Sequence, residues 1–214
     1  MREKIMKHEW RKHEKEIYLP KNKPINIEIP EFNFFTIEGK GNPNNEIFPK
    51  YIEVLYSLSY AVKMSYKKGI EPDDYFHYTV YPLEGIWDIS EKARKNFNGK
   101  INKDELVFKL MIRQPEFVDK DFATEIIELT KKKKPHEFLD KVNFEKIADG
   151  NSVQMMHIGS YDNEPESFKI MEDFAETNNL KRISKIHKEI YLTDARKTAP
   201  EKLKTVLRFK VEQK

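Results

Sequence analysis

The sequence predicts an α+β fold: a pseudo-two-fold repeat of β-α-β-β units sharing one antiparallel sheet, with helices on one face and a ligand pocket between the halves. Two observations predict it. Patterns of period two and period 3.6 run in the order strand, helix, strand, strand, and the same order then returns. The chain of 214 residues also has 14 Phe, 10 Tyr and 2 Trp, enough ring area to fill one continuous core although only 38% of its residues are hydrophobic.

Residues 1–24 read as a charged arm lying over the domain. The stretch MREKIMKHEWRKHEKEIY is helix-prone, LPKNKP is a spacer, and Trp10, Ile17 and Tyr18 are the arm's sizeable anchors. Residues 25–214 form the domain, divided at about 118/119. The first half opens with the alternating INIEIPEFNFFTIEGKG, a strand or two stopped by glycines and an Asn/Pro turn. EIFPKYIEVLYSLSYAVKMSYKKG then places Phe48, Ile52, Leu55, Leu58 and Val62 at helical spacing before Gly69. Residues 74–88 and 105–115 return to strand composition.

Two short helical pieces, 122–130 and 135–142, open the second half. NSVQMMHIGSYDNEP supplies a strand and turn, and PESFKIMEDFAETNN a helix with Phe168, Met171, Phe174 and Ala175 on one face. The strands KIHKEIYLTD and EKLKTVLRFKV close the copy.

Composition excludes several chemistries. With no cysteine there is no disulfide, Cys-ligated zinc, Fe–S cluster or thiolate nucleophile, which fits a cytoplasmic protein. No signal peptide opens the chain and no run of about 18 apolar residues occurs, so a membrane partner is not expected. A net charge of +3 is weak for a phosphate-binding surface, and KKKK at 131–134 suits a helix C-terminus, so nucleic acid is not expected either. GxGxxG, a P-loop, GxSxG and HExxH are all missing, and neither cofactor nor metal is expected. The oligomeric state is not readable.

Alternation along KIHKEIYLTD sets Ile186, Ile190 and Leu192, with the stem of Lys188, on the face expected to pack on helices. His187, Glu189, Tyr191 and Thr193 fall on the other, expected to line the cleft. A dry carboxylate between His187 and Tyr191 would be a proton carrier with raised pKa or a dock for a cation; a solvated, salt-bridged sheet-face Glu is the alternative. The turn YPLEGIWD offers Glu84 between Pro82 and Gly85, and Trp87 as a flat wall for a planar ligand or as a plug at the core edge.

FFTIEGKGNPN, YPLEGIWD, MIRQPEFV, MMHIGSYDNEP and above all HKEIYLTDARKTAPEKLKTVLR resemble the stand-alone GyrI-like small-molecule-binding proteins, relatives of the effector-binding domains of multidrug-responsive transcription activators. The resemblance runs from about Tyr18 to Arg208. It implies a pair of β-α-β-β units with a pocket between them, Glu189 at the pocket floor, and walls from Trp87 and nearby tyrosines such as Tyr81. Glu84, His187 and Met111 are further ligand-binding candidates in the same segments. No helix-turn-helix precedes the domain, so an activator's regulatory role is not expected.

Some stand-alone members hydrolyse cyclopropane-bearing DNA-alkylating compounds. By that resemblance Glu189 would activate water and Tyr191 would donate a hydrogen bond to the developing phenolate. The alternatives are non-catalytic sequestration of planar aromatic or cationic drugs, and a gyrase-inhibitor-like role with a protein partner. Asp88 stands where many relatives place a second aromatic after the Trp, which thins one expected wall.

Overall fold

The computed structural model describes residues 7–96 and 100–214. Strand β1 (Ile25–Lys40), helix α3 (Phe48–Lys63), β2 (Leu83–Ile89) and β3 (Leu106–Gln114) form the first half. The second comprises β4 (Asn143–Ile158), α6 (Glu164–Thr177), a short β5 (Leu180–Arg182), β6 (His187–Tyr191) and β7 (Lys204–Gln213). One-turn helices α1 (Trp10–His13) and α2 (Lys15–Tyr18) make up the arm, α4 (Glu91–Lys95) follows β2, and α5 (Lys120–Lys133) links the halves.

The strands run in the order β4-β1-β3-β2-β6-β7-β5, and β4 also pairs with β7. The antiparallel sheet therefore closes into a six-stranded barrel with β5 appended. Within that ring β1-β3-β2 of the first half is matched by β4-β7-β6 of the second, the order a two-fold repeat requires. The halves meet at two junctions, β1 against β4 and β2 against β6.

Register fixes which side chains share a face. Trp87 lies opposite Phe108 and His187; Gly85 lies opposite Leu110 and Glu189; Glu189 lies opposite Leu207. Helix α3 packs on this face, with Phe48 and Tyr51 edge-on to Phe108, and α6 packs on its continuation, Met171 and Ala175 clustering with Val153, Met155, Leu207 and Phe209. A ring of six strands has no room inside for helices, so this face is the outside of the barrel. Glu189, His187 and Tyr191 thus share the helix-bearing face, and Ile190 and Lys188 point inward: the alternation is as expected but the two faces are exchanged.

The inward face holds an apolar layer, Met111, Ile190, Val206 and Met156, and a charged one. Lys188 Nζ lies 2.9 Å from Asp149 and 3.3 Å from Glu84, while Arg208 lies 2.7 Å from Asp149. Buried charges persist only when paired, and these are. The arm covers this end. Gln154 donates to the Glu16 carbonyl at 2.6 Å, Arg208 to the Ile17 carbonyl at 3.1 Å, and Arg113 binds the Glu14 carboxylate. Trp10 and Tyr18 are buried, as expected of anchors.

Several boundaries differ from the sequence expectation. Residues 74–82 carry no strand beyond a bridge between Tyr78 and His8, because Pro82 and the aromatic cluster Tyr75, Phe76, Tyr78 and Phe117 tie the segment by ring contacts. β4 begins at Asn143 rather than near Asn151, since NFEKIADG pairs along β1. The piece expected around 135–142 is a single turn at Leu139–Lys141. Lys131 pairs with Glu128 and Asp140, and Lys134 with Glu53, so the lysine run is a salt-bridged helix end.

Candidate functional site

At the β2–β6 junction, between α3 and α6, one carboxylate collects hydrogen bonds from its own strand. The Tyr191 hydroxyl donates to Glu189 Oε2 at 2.8 Å, and His187 Nε2 lies 3.1 Å from Oε1. Trp87 Nε1 in turn donates to the Tyr191 oxygen at 2.7 Å. These bonds follow from alternation, since residues 187, 189 and 191 stand on one face and Trp87 is the register partner of His187. Glu189 is 8% exposed, and among the described residues neither Lys nor Arg is paired with it.

Rings close the surroundings. Phe48, half-buried at the start of α3, stacks on Trp87 with centroids 6.0 Å apart; Tyr161 stands edge-on to Tyr191 at 6.1 Å; Phe168 of α6 meets His187 at 4.6 Å. Trp87 is itself buried. It is therefore both a core plug and the inner wall of the site, and Phe48 supplies the aromatic surface that Asp88 does not. Asp88 is bound instead to Arg94.

A second carboxyl faces Glu189. Glu164, the first residue of α6, is buried, and its Oε1 has no hydrogen-bond partner. Its pKa is pushed far above the carboxylate range, first by burial, then by the negative charge of Glu189. The helix N-terminus works the other way, by about 0.3–1 kcal/mol. Two like charges about 4 Å apart cost about 4 kcal/mol at an effective dielectric of about 20, several times the helix contribution, so the shift is upward. Burial and the charge of Glu189 also raise the Tyr161 hydroxyl to about 12, and burial with the charge of Glu189 raises Tyr191.

His157 holds α6 in this position, with Nδ1 2.9 Å from Ser167 Oγ and Nε2 3.0 Å from the Ser160 carbonyl. Ser167 is nearly one turn beyond Glu164. His157 is thus a structural tie.

Of the seven residues expected from sequence, the structure brings together Glu189, Tyr191, Trp87 and His187. It does not bring the other three to them. Glu84 and Met111 face inside the barrel, Glu84 beside Lys188 and the Tyr18 hydroxyl, and Tyr81 donates to Glu14 of the arm at 2.9 Å. Sequence reasoning missed Glu164, Phe48 and Tyr161. An acid in the first turn of a helix is so common that Glu164 carried no signal, and the two rings enter from outside the strand pattern. Among the described residues no group of three or more His, Asp or Glu is placed to hold a metal ion, and no helix is long and apolar enough to cross a membrane.

Residues 23–212 match the family model of the GyrI-like small molecule binding domain. The chain belongs to that family. The GyrI-like chain is similar over 97% of its length, at 37% identity and a TM-score of 0.88, to the whole of a crystallised hydrolase from Listeria innocua. Another crystal structure of a hydrolase from Listeria innocua is 35% identical over 96% of this chain and all of that one, with a TM-score of 0.86. The C-terminal domain of EcmrR shares the fold at 14% identity and a TM-score of 0.52, covering 92% of this chain and 99% of that domain. None of the curated proteins matches the chain. A GyrI-like small-molecule-binding domain fits a small molecule as its partner.

Proposed function

We propose that this GyrI-like protein is a hydrolase of planar, electrophilic cyclopropanoid xenobiotics, with Glu189 activating the attacking water and residues 7–24 forming an arm over the 25–214 domain; residues 1–6 of the expected arm lie outside the described residues. The observation that carries the reading is the Glu189 carboxylate, nearly dry, fixed by Tyr191 and walled by Trp87, Phe48, Tyr161 and Phe168. The two Listeria relatives described as hydrolases support it.

A cyclopropane conjugated to a dienone is already electrophilic, so the protein needs to hold the plane and deprotonate water at the strained carbon. Tyr191 has one hydroxyl hydrogen, and it is directed at Glu189. In the resting site its part is therefore to orient the base. Phe48 must turn aside for a planar ligand to stack on Trp87.

The test is incubation of wild type and Glu189→Gln with a spirocyclopropyl cyclohexadienone, followed by mass spectrometry. Addition of one water by wild type and loss of at least 100-fold in rate by the variant, at the low end of general base catalysis, support the reading. Equal rates would remove Glu189 as the base. The missing Lys or Arg beside Glu189 favours one second reading, docking of an organic cation without turnover; that predicts cation-dependent quenching of tryptophan emission, weakened in Glu189→Gln, and no product at any time.

A further inference from the structure

We infer that Glu164 and Glu189 act as a pair with one proton between them, Glu164 the acid and Glu189 the base of the ring opening; this rests on the hydrolase reading above and extends it to a residue of α6. Three observations on geometry carry it. Glu164 stands in the chain between Tyr161, edge-on to Tyr191, and Phe168, edge-on to His187, which brings its carboxyl to the face of β6 that carries Glu189. Glu164 Oε1 is buried without an acceptor or donor, an orphan that disappears if the group is a carboxylic acid donating to Glu189. Glu189 already receives the Tyr191 hydrogen on Oε2 and faces His187 on Oε1, so it is the better-stabilised anion of the two.

The groups facing the pair are few. His187 and Tyr191 come from β6, Trp87 from β2, and Tyr161 from the turn before α6. Asp162 and Asp194 lie farther out, the first paired to Lys103 and the second to Arg196. Lys103 and Arg196 are held by these outer acids, which leaves His187, 3.1 Å from Glu189 Oε1, as the titratable base beside the pair.

The step balances without a co-reactant. Glu189 takes one proton of the water while its oxygen bonds to the cyclopropane methylene. The ring C–C bond breaks, its electron pair moves into the dienone, and the resulting phenolate oxygen takes the Glu164 proton, through one bridging water where the span requires it. Glu189, now protonated, returns the proton to Glu164 across their hydrogen bond. Substrate plus water gives product, and the pair is reset, as in other carboxyl pairs that share a proton.

Two measurements test this. Infrared spectra at neutral pH should show the carbonyl stretch of a protonated carboxyl in wild type and lose it in Glu164→Gln; its absence from wild type overturns the inference. With the spirocyclopropyl dienone as probe, Glu164→Gln should bind as wild type does, turn over about 100-fold more slowly and lose the fall in kcat at high pH that marks loss of the acid. A wild-type rate and pH profile in a Glu164→Gln variant that unfolds like wild type would also overturn it. The two readings fail differently: product without the infrared band removes the pair alone, whereas the band without product from wild type removes the hydrolase and the acid role together.

Discussion

Gly85 and Glu189 face each other in the middle of the five-residue β2–β6 pairing, where the two halves of the barrel meet. In a two-fold repeat the central residues of such a junction are counterparts, so one half supplies the carboxylate and the other a position with no side chain. The gap is used. A Cβ on Gly85 would lie 2.8 Å from Trp87 Nε1 and 3.3 Å from the Tyr191 hydroxyl, directly over the hydrogen bond that orients Glu189's partner.

Gly85→Ala is therefore expected to push the indole off Tyr191 and to destabilise the fold by about 1–3 kcal/mol, the usual cost of forcing an extra methyl into a packed site. Urea unfolding followed by tryptophan emission reports both effects at once. A variant with unchanged midpoint and spectrum would show that the contact is not tight.

Trp87 acts through its N–H as well as its bulk, and two substitutions separate these. Trp87→Phe keeps a ring against Phe48 and Phe108 but removes the donor to Tyr191, at about 1 kcal/mol, whereas Trp87→Ala also leaves a cavity and should cost about 3–5 kcal/mol. Equal losses in chemical denaturation would mean the indole N–H contributes nothing.

Inside the barrel, Lys188 stands between two acids. Lys188→Met leaves Glu84 without its cation and Asp149 with Arg208 alone, a loss on the order of 3–5 kcal/mol for breaking a buried pair from one side. Calorimetry giving a melting temperature within a degree or two of wild type would contradict the pairing described.

The same cluster predicts an acid limb. Burial alone would raise the Asp149 pKa, but the ammonium of Lys188 and the guanidinium of Arg208 outweigh it and hold the carboxyl below its ordinary 3.8. The unfolded chain then binds the proton more readily than the folded one. This contribution to stability is complete above about pH 4 and is lost as pH falls through the lower folded value. Denaturant midpoints measured below pH 4 should fall more steeply in wild type than in Asp149→Asn.

Glu14 ties the arm to the barrel through Arg113 and the Tyr81 hydroxyl, and pairs with His8 within the arm. Glu14→Ala strands the buried Arg113 guanidinium and should expose the 7–24 segment to protease faster than wild type, with a stability loss of about 3 kcal/mol. Unaltered cleavage kinetics would show that the arm is held by Trp10 and Tyr18 without it.

The repeat, the long helices and the alternation along β6 were legible because each is a periodicity of the chain, and so was the grouping of His187, Glu189 and Tyr191 on one face. Which face that was could not be read: period two says that neighbours point apart, not which side receives helices. Expecting the charged side in an open cleft exchanged them, and Lys188 is the instructive residue, since its inward placement depends on Asp149 and Glu84 arriving from β4 and β2. Glu84 and Tyr81 are candidates through their nearness in the chain to Trp87 and Met111 through its own segment; the pleat turns Glu84 and Met111 inward, and Tyr81 is held by Glu14.

By itself the amino-acid sequence determined a cysteine-free, aromatic-cored α+β repeat of the GyrI-like family, because local pattern and composition are properties of consecutive residues. Tertiary structure alone decided that the sheet closes, that the arm seals the charged interior, and that Glu164 meets Glu189. Those outcomes depend on β4 reaching β7 and on α6 being pinned by His157, contacts between segments that no local period records. The electrostatics of the site follow from that meeting, since a carboxyl's proton is set by the charge beside it in space.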